Sequence, residues 1–197
     1  MAGTRHLSVL VLGATVALIL NACSTSAREE GQPSESSGGG AVTLDDLLSA
    51  PVPALCKHEP GHLVNGKLPL QNPSRGEVVV ATRSAASNDY LMTLGDLTTD
   101  GKADGAMVVR CSAGGVPWPQ TVQLYTAGPK WLGGVDLGDL THGREIVTDI
   151  SISDGVAHVV WLTNGPNDPA CCPKVEMKGD LRWNGTTVVA ENLRTAG

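Results

Sequence analysis

The stretch Ile146-Val-Thr-Asp-Ile-Ser-Ile-Ser153, then Asp154-Gly155, then Val156-Ala-His-Val-Val-Trp-Leu-Thr163 decides the fold. Asp-Gly between two β-branched runs is the strongest short-range signal for a two-residue hairpin turn, because both turn residues need positive φ. Such a turn fixes the register. It pairs Ser153 with Val156, Ile152 with Ala157, Ile150 with Val159 and Thr148 with Trp161. One face then carries Thr148, Ile150, Ile152, Ala157, Val159 and Trp161, and the other carries Asp149, Ser151, Ser153 and His158. The first face is core and the second faces solvent. On this reading His158 is a solvated strand residue rather than a catalyst.

The same signals extend outward in both directions. Asn184-Gly185 joins Leu181–Trp183 to Thr186–Ala190 as a second two-residue hairpin. Glu77–Thr82, Tyr90–Thr93, Ala106–Cys111, Thr121–Thr126 and Trp131–Leu137 are short, rich in β-branched residues and bounded by Gly or Pro. One short helix precedes them. Thr43 caps it, Asp46 stands three residues on, Leu44, Leu47 and Leu48 make its apolar face, and Pro51 and Pro53 end it. The expected fold is mostly β: antiparallel sheets, as a sandwich or an incomplete propeller-like array, with one short N-terminal helix. The propeller alternative rests on a weak repeat, since Gly-Asp-Leu occurs at Gly95, Gly138 and Gly179.

The N-terminus speaks for export. Arg5 precedes an apolar run from Leu7 to Leu20. That run is shorter than the roughly 20 residues needed to span a bilayer, and a basic start before a short apolar run is the pattern of a secretory signal. Leu20-Asn21-Ala22-Cys23 follows and resembles the bacterial lipobox. The resemblance implies cleavage before Cys23, lipidation of its sulfur, and attachment of the mature protein to the membrane through acyl chains on Cys23. Residues 1–22 are then a lipoprotein signal peptide. From Cys23 to Gly40 the chain reads as a flexible Ser/Gly-rich tether that has almost no apolar residue to bury. Residues 41–197 form a single β domain.

Net charge is −6, with no basic stripe, which excludes nucleic acid as a partner. The expected location is the extracytoplasmic face of the cell membrane, in monomeric form, with an envelope protein or glycan as partner. Export permits disulfides, and Cys56, Cys111, Cys171 and Cys172 are expected to be oxidised. A Cys171–Cys172 bond would close a small ring across one peptide. The expectation is therefore that each of these two holds a different partner. A zinc site from Cys56, His58 and His62 is disfavoured, because no second ligand pair has the usual spacing.

Asp96-Leu-Thr98-Thr-Asp100-Gly101-Lys102-Ala-Asp104 is the one motif with chemistry in it. It resembles the calcium loop of FG-GAP and VCBS repeats, and more loosely those of dockerins and EF-hands. The resemblance implies a calcium site with side-chain oxygens from Asp96, Thr98, Asp100 and Asp104 and the carbonyl of Lys102. Thr98 departs from the usual Asn or Asp, and Met107 stands where an EF-hand has its bidentate acid. Gly61-His-Leu-Val-Asn-Gly66-Lys67-Leu68 begins like a phosphate-binding loop, but Leu68 lacks the hydroxyl that holds magnesium.

Lipobox, tether, Asp-rich loop, Cys111, Cys171-Cys172-Pro173 and Arg182–Gly185 together resemble secreted lipoproteins of actinobacteria. That likeness implies an envelope location and no particular activity. The leading functional reading is a lipid-anchored extracytoplasmic binding or structural domain without catalysis. The alternatives are a calcium-dependent adhesion-like module and an envelope hydrolase using acids from Asp96, Asp100, Asp104 and His142.

Overall fold

The structure, a computed structural model, describes residues 40–84 and 87–196. The signal segment, Cys23 and residues 24–39 of the tether lie outside the described residues. Those described belong to one compact unit. Among them, no helix is long and apolar enough to cross a membrane.

The mostly-β expectation holds. After a short helix α1 (Leu44–Leu48) come the two-residue strands β1 (Pro51–Val52) and β2 (Gly61–His62), which pair with each other. The first large sheet holds β3 (Glu77–Val80), β4 (Met92–Gly95), β5 (Asp104–Ser112), β6 (Thr121–Thr126) and β7 (Lys130–Asp136). One edge of β5 is shared: its start pairs with β4 and its end with β3. A single helical turn, α2 (Gly138–Thr141), leads to the second sheet. That sheet is the antiparallel meander β8 (Ile146–Ser153), β9 (Val156–Thr163), β10 (Val175–Trp183) and β11 (Val188–Thr195). The arrangement is that of a sandwich.

Strand β5 is apolar on both faces because it divides two cores. Ala106 and Val108 join Val122, Leu124, Ile150, Val159, Trp161 and Leu181 between the two large sheets. Met107, Val109 and Cys111 face the other way, into a core that α1, β1 and the 54–70 segment cover. Thr43 caps α1 as expected: it accepts from the Asp46 N–H while the Asp46 carboxylate accepts from the Thr43 N–H. Tyr125 ends the second core, its hydroxyl donating to the Pro51 carbonyl at 2.8 Å, and burial pushes its ionisation well above the ordinary phenol range.

The decisive hairpin has the expected register for most of its length. Ser153 pairs with Val156, Ile152 with Ala157 and Ile150 with Val159. Asp154 and Gly155 take φ of 52° and 74°, as the tight turn demands. Thr148 departs from the expectation. A bulge between Val147 and Asp149 puts Val147 opposite Trp161 and in the core, and turns Thr148 out to solvent. The bulge has a partner: the Arg83 guanidinium donates to the Thr148 carbonyl and to Asp149, both at 3.0 Å.

The second hairpin is longer than expected. Trp183 pairs with Val188, leaving Asn184 to Thr187 as the loop. The Asn184 side chain accepts from the N–H groups of Thr186 and Thr187, so it organises the loop without a tight turn. Nor is the Gly-Asp-Leu recurrence a structural repeat. Gly95 ends β4, Gly138 opens α2 and Gly179 lies inside β10. Gly95 has its own reason to be glycine, since a Cβ there would run into the Ile152 side chain where β4 meets β8.

The cysteine pairing is a further correction. Cys56 bonds Cys111, their Cα atoms 6.0 Å apart, and Cys171 bonds its neighbour Cys172. The expectation that each of the latter two takes a separate partner fails because of location. Cys56 turns at the foot of the second core beside the end of β5, whereas residues 171 and 172 lie in the β9–β10 connection. Cys56 and Cys111 are separated by 55 positions in sequence, a loop whose closure is worth about 4 kcal/mol in the chain-entropy model.

Candidate functional site

The Asp-rich loop is well ordered by its own carboxylates. Asp104 is buried at the start of β5, and its Oδ2 accepts from the Leu97 N–H at 2.9 Å, the Thr98 N–H at 2.7 Å and the Thr98 hydroxyl at 2.8 Å. Asp96 accepts from the N–H groups of Asp100 and Gly101. The Lys102 N–H donates to Asp100 Oδ1 at 2.9 Å. The three carboxylates thus stabilise turn backbone, each close to its own place in the loop. Among the described residues, no group of three or more His, Cys, Asp or Glu is arranged to hold a metal ion. None of the hydrogen bonds described joins His142, at the end of α2 with φ 56°, to this loop.

A cleft of about 630 Å³ opens on the other side of the first sheet, near the Cys56–Cys111 bond. Leu68, Pro69, Leu70 and Pro73 form its apolar wall, Gly114 and Gly115 its glycine lip, and Lys67 and Glu77 its polar ends. Val64, 57% exposed, belongs to the same lining. The wall exists because Asn65-Gly66 makes a tight turn with φ of 51° and 76°, and Val64 and Lys67 bridge across it. That Asn-Gly was itself a readable turn signal inside the segment that resembled a phosphate loop. The turn then lies along β3, where the Leu68 N–H bonds the Val78 carbonyl and the Val80 N–H the Gly66 carbonyl.

The outer face of the second sheet holds a connected polar line that sequence reasoning missed. Ser153 Oγ lies 3.0 Å from His158 Nε2. His158 Nδ1 lies 2.8 Å from Asp180 Oδ1, and the Asn192 amide donates to Asp180 Oδ2 at 2.8 Å. Four strands contribute one residue each. His158 and Asp180 are direct cross-strand partners, and Ser153 sits diagonally across β8 from His158. The side chains of His158 and Asp180 are 42% and 17% exposed. The Asn192 hydrogen bond, and after it His158, hold the Asp180 carboxyl below the ordinary range against the opposing effect of burial.

Glu145 is a second buried acid. Its Oε1 accepts from the Thr141 hydroxyl, the Gly143 N–H and the Thr163 hydroxyl, while Oε2 has no partner. It ties α2 to the end of β9, and the same Thr141 hydroxyl accepts from the Trp161 indole. Compared with protein-family models, with curated proteins and with solved structures, this chain matches none.

Proposed function

We propose that the protein is a lipid-anchored, extracytoplasmic binding domain of the bacterial envelope, held by acyl chains on Cys23 and receiving its partner in the cleft beside β3. The cleft carries this reading. It combines a hydrophobic wall, two glycines that leave backbone accessible, and one charge of each sign, the composition of a surface that takes an apolar moiety and orients its polar ends. Exposed Val64 adds to the apolar surface of its lining.

Two measurements test the two halves. Cys23→Ala is expected to move the protein from the membrane to the soluble fraction in detergent-free buffer, and retention at the membrane removes the anchor. For the cleft, the probe is the apolar dye anilinonaphthalene sulfonate. Its fluorescence on binding is expected to fall by more than half in the variant Val64→Asp. The position is exposed, so the fold tolerates the change. Equal fluorescence would remove the cleft as the binding face.

A further inference from the structure

We propose that Ser153, His158 and Asp180 form a nucleophile, a general base and an orienting carboxylate for acyl transfer from a carboxylic ester. This activity goes beyond the binding reading and does not depend on it, since none of the three residues lines the cleft beside β3.

The argument rests on which atoms meet. A histidine activates a serine hydroxyl only if one ring nitrogen is free to accept the proton while the other is held by an acid. Here the two nitrogens divide the work: Nδ1 faces Asp180 Oδ1 at 2.8 Å and Nε2 faces Ser153 Oγ at 3.0 Å. Asp180 accepts from Nδ1–H, so the neutral ring presents a bare Nε2 to the hydroxyl. Asn192 occupies the other oxygen of Asp180 and fixes the carboxylate in turn. The hydrogen bonds from Asn192 and His158 keep that carboxylate ionised. Ser153, His158 and Asp180 stand on neighbouring strands whose pairing is regular at these positions, a rigid support of the kind a nucleophile needs. The nucleophile stands at the last position of β8, directly before the Asp154-Gly155 turn.

The chemistry closes on itself. Ser153 Oγ adds to the ester carbonyl carbon while its proton passes to His158 Nε2. The tetrahedral intermediate collapses with cleavage of the carbonyl–alkoxide bond, and the alkoxide leaves with the proton from Nε2. Water then repeats the sequence on the acyl-serine, giving up one proton to Nε2, and Ser153 regains a proton as the acid is released. Substrate and water are the only reactants. Ser153 is exposed and the three side chains lie on a strand face, so the ester that fits is a short acyl group projecting from a larger molecule.

The test uses the full chain, solubilised in detergent, with p-nitrophenyl acetate as substrate and a fluorophosphonate as label. The wild type is expected to be labelled at Ser153 and to hydrolyse the ester. Ser153→Ala should lose both with an unchanged melting curve, and His158→Gln should lower acylation by about a hundredfold or more. Asp180 is a positioning residue: Asp180→Asn should lower kcat per site titrated by the fluorophosphonate and leave KM unchanged, whereas partial unfolding would lower the titrated fraction and leave kcat per titrated site alone. Absence of labelling in the wild type, hydrolysis that survives Ser153→Ala, or acylation unaffected by His158→Gln would each overturn the assignment.

Discussion

Asp104 and Asp180 are both carboxylates on strands, the first buried and the second partly exposed, and both gather several hydrogen bonds, yet they belong to different kinds of structure. The bonds of Asp104 come from residues six and seven positions away, and all three fall on one oxygen. Those of Asp180 come from two other strands, one to each oxygen, from a histidine 22 positions off and an asparagine 12 positions off. The first carboxylate closes a turn and is spent there. The second holds a titratable ring that in turn meets a hydroxyl at the surface. A carboxylate is available for chemistry when its hydrogen bonds orient another reactive group rather than its own backbone.

The largest test of this contrast is at Asp104. Asp104→Ala leaves two N–H groups and a hydroxyl without their acceptor at a buried site. We expect a loss of about 3 kcal/mol in urea unfolding. Asp180→Ala should cost at most about 1 kcal/mol, because its network lies at the surface where water replaces what is lost. Equal costs would mean that the surface line is as structural as the loop.

Glu145 sharpens the same comparison from within the core. Its Oε1 serves three donors and its Oε2 none. Glu145→Ala strands those three donors and should cost about 2 kcal/mol, whereas Glu145→Gln keeps the accepting oxygen and should stay within about 1 kcal/mol of wild type. A Gln as damaging as Ala would show that the charge, and not the acceptor, holds α2.

Acid separates Asp180 from a third acid, Asp136. The folded state lowers the Asp180 pKa, so its contribution to stability is present above the ordinary carboxylate range, near 4, and is lost as pH falls through and below it. The stability gap between wild type and Asp180→Asn should therefore narrow from pH 6 to pH 3. Asp136 has the opposite sign. Burial first, then the nearby Asp139 and Glu145 charges, raise its pKa against the lowering effect of the Gly138 N–H. Its ionised form is a penalty at neutral pH that protonation relieves. Asp136→Asn keeps an acceptor for that N–H, and should raise the melting temperature slightly at pH 7, with the gain vanishing in acid. Melting curves at the two pH values read both signs, and parallel behaviour of the two variants would contradict the assigned environments.

Local features were legible and distant ones were not. The capping box at Thr43, the Asp154-Gly155 turn and the alternation along β9 are written within a few residues, and each stands as read. The bulge at Thr148 was hidden because the residue that bonds it, Arg83, lies 65 positions away. The cysteine pairing depended on which ends of two cores lie together, which spacing does not encode. For Ser153, His158 and Asp180, the hairpin register did place Ser153 and His158 on one face. The missing step was Asp180, because the pairing of β9 with β10 follows a long irregular connection and carries no turn signal. A motif of nine contiguous residues attracts attention for the reason that makes it local, and a site assembled from four strands has no such signature.

The smallest expected effect is that of calcium on the Asp-rich loop. An ion that binds only the native state stabilises it by RT ln(1 + [Ca]/Kd). For a site of about millimolar affinity, 10 mM calcium would give about 1.4 kcal/mol by that relation, a melting shift of about 3–5 °C for a domain of this size. Such a site needs Asp96, Asp100 and Asp104 to turn oxygens toward one point. Asp104 Oδ2 would then give up its three donors, Asp96 its hold on the Asp100 and Gly101 N–H groups, and Asp100 that on the Lys102 N–H. Each of those bonds is worth about 1 kcal/mol net, and more for an ionised acceptor, so losing even two of them offsets the whole gain from a millimolar ion. The expected shift on adding 10 mM calcium is therefore below about 1 °C, and the same for Asp100→Asn as for wild type. A shift of several degrees in the wild type, absent in Asp100→Asn, would show that the loop exchanges its backbone bonds for an ion, and would put Asp104 on the same chemical footing as Asp180.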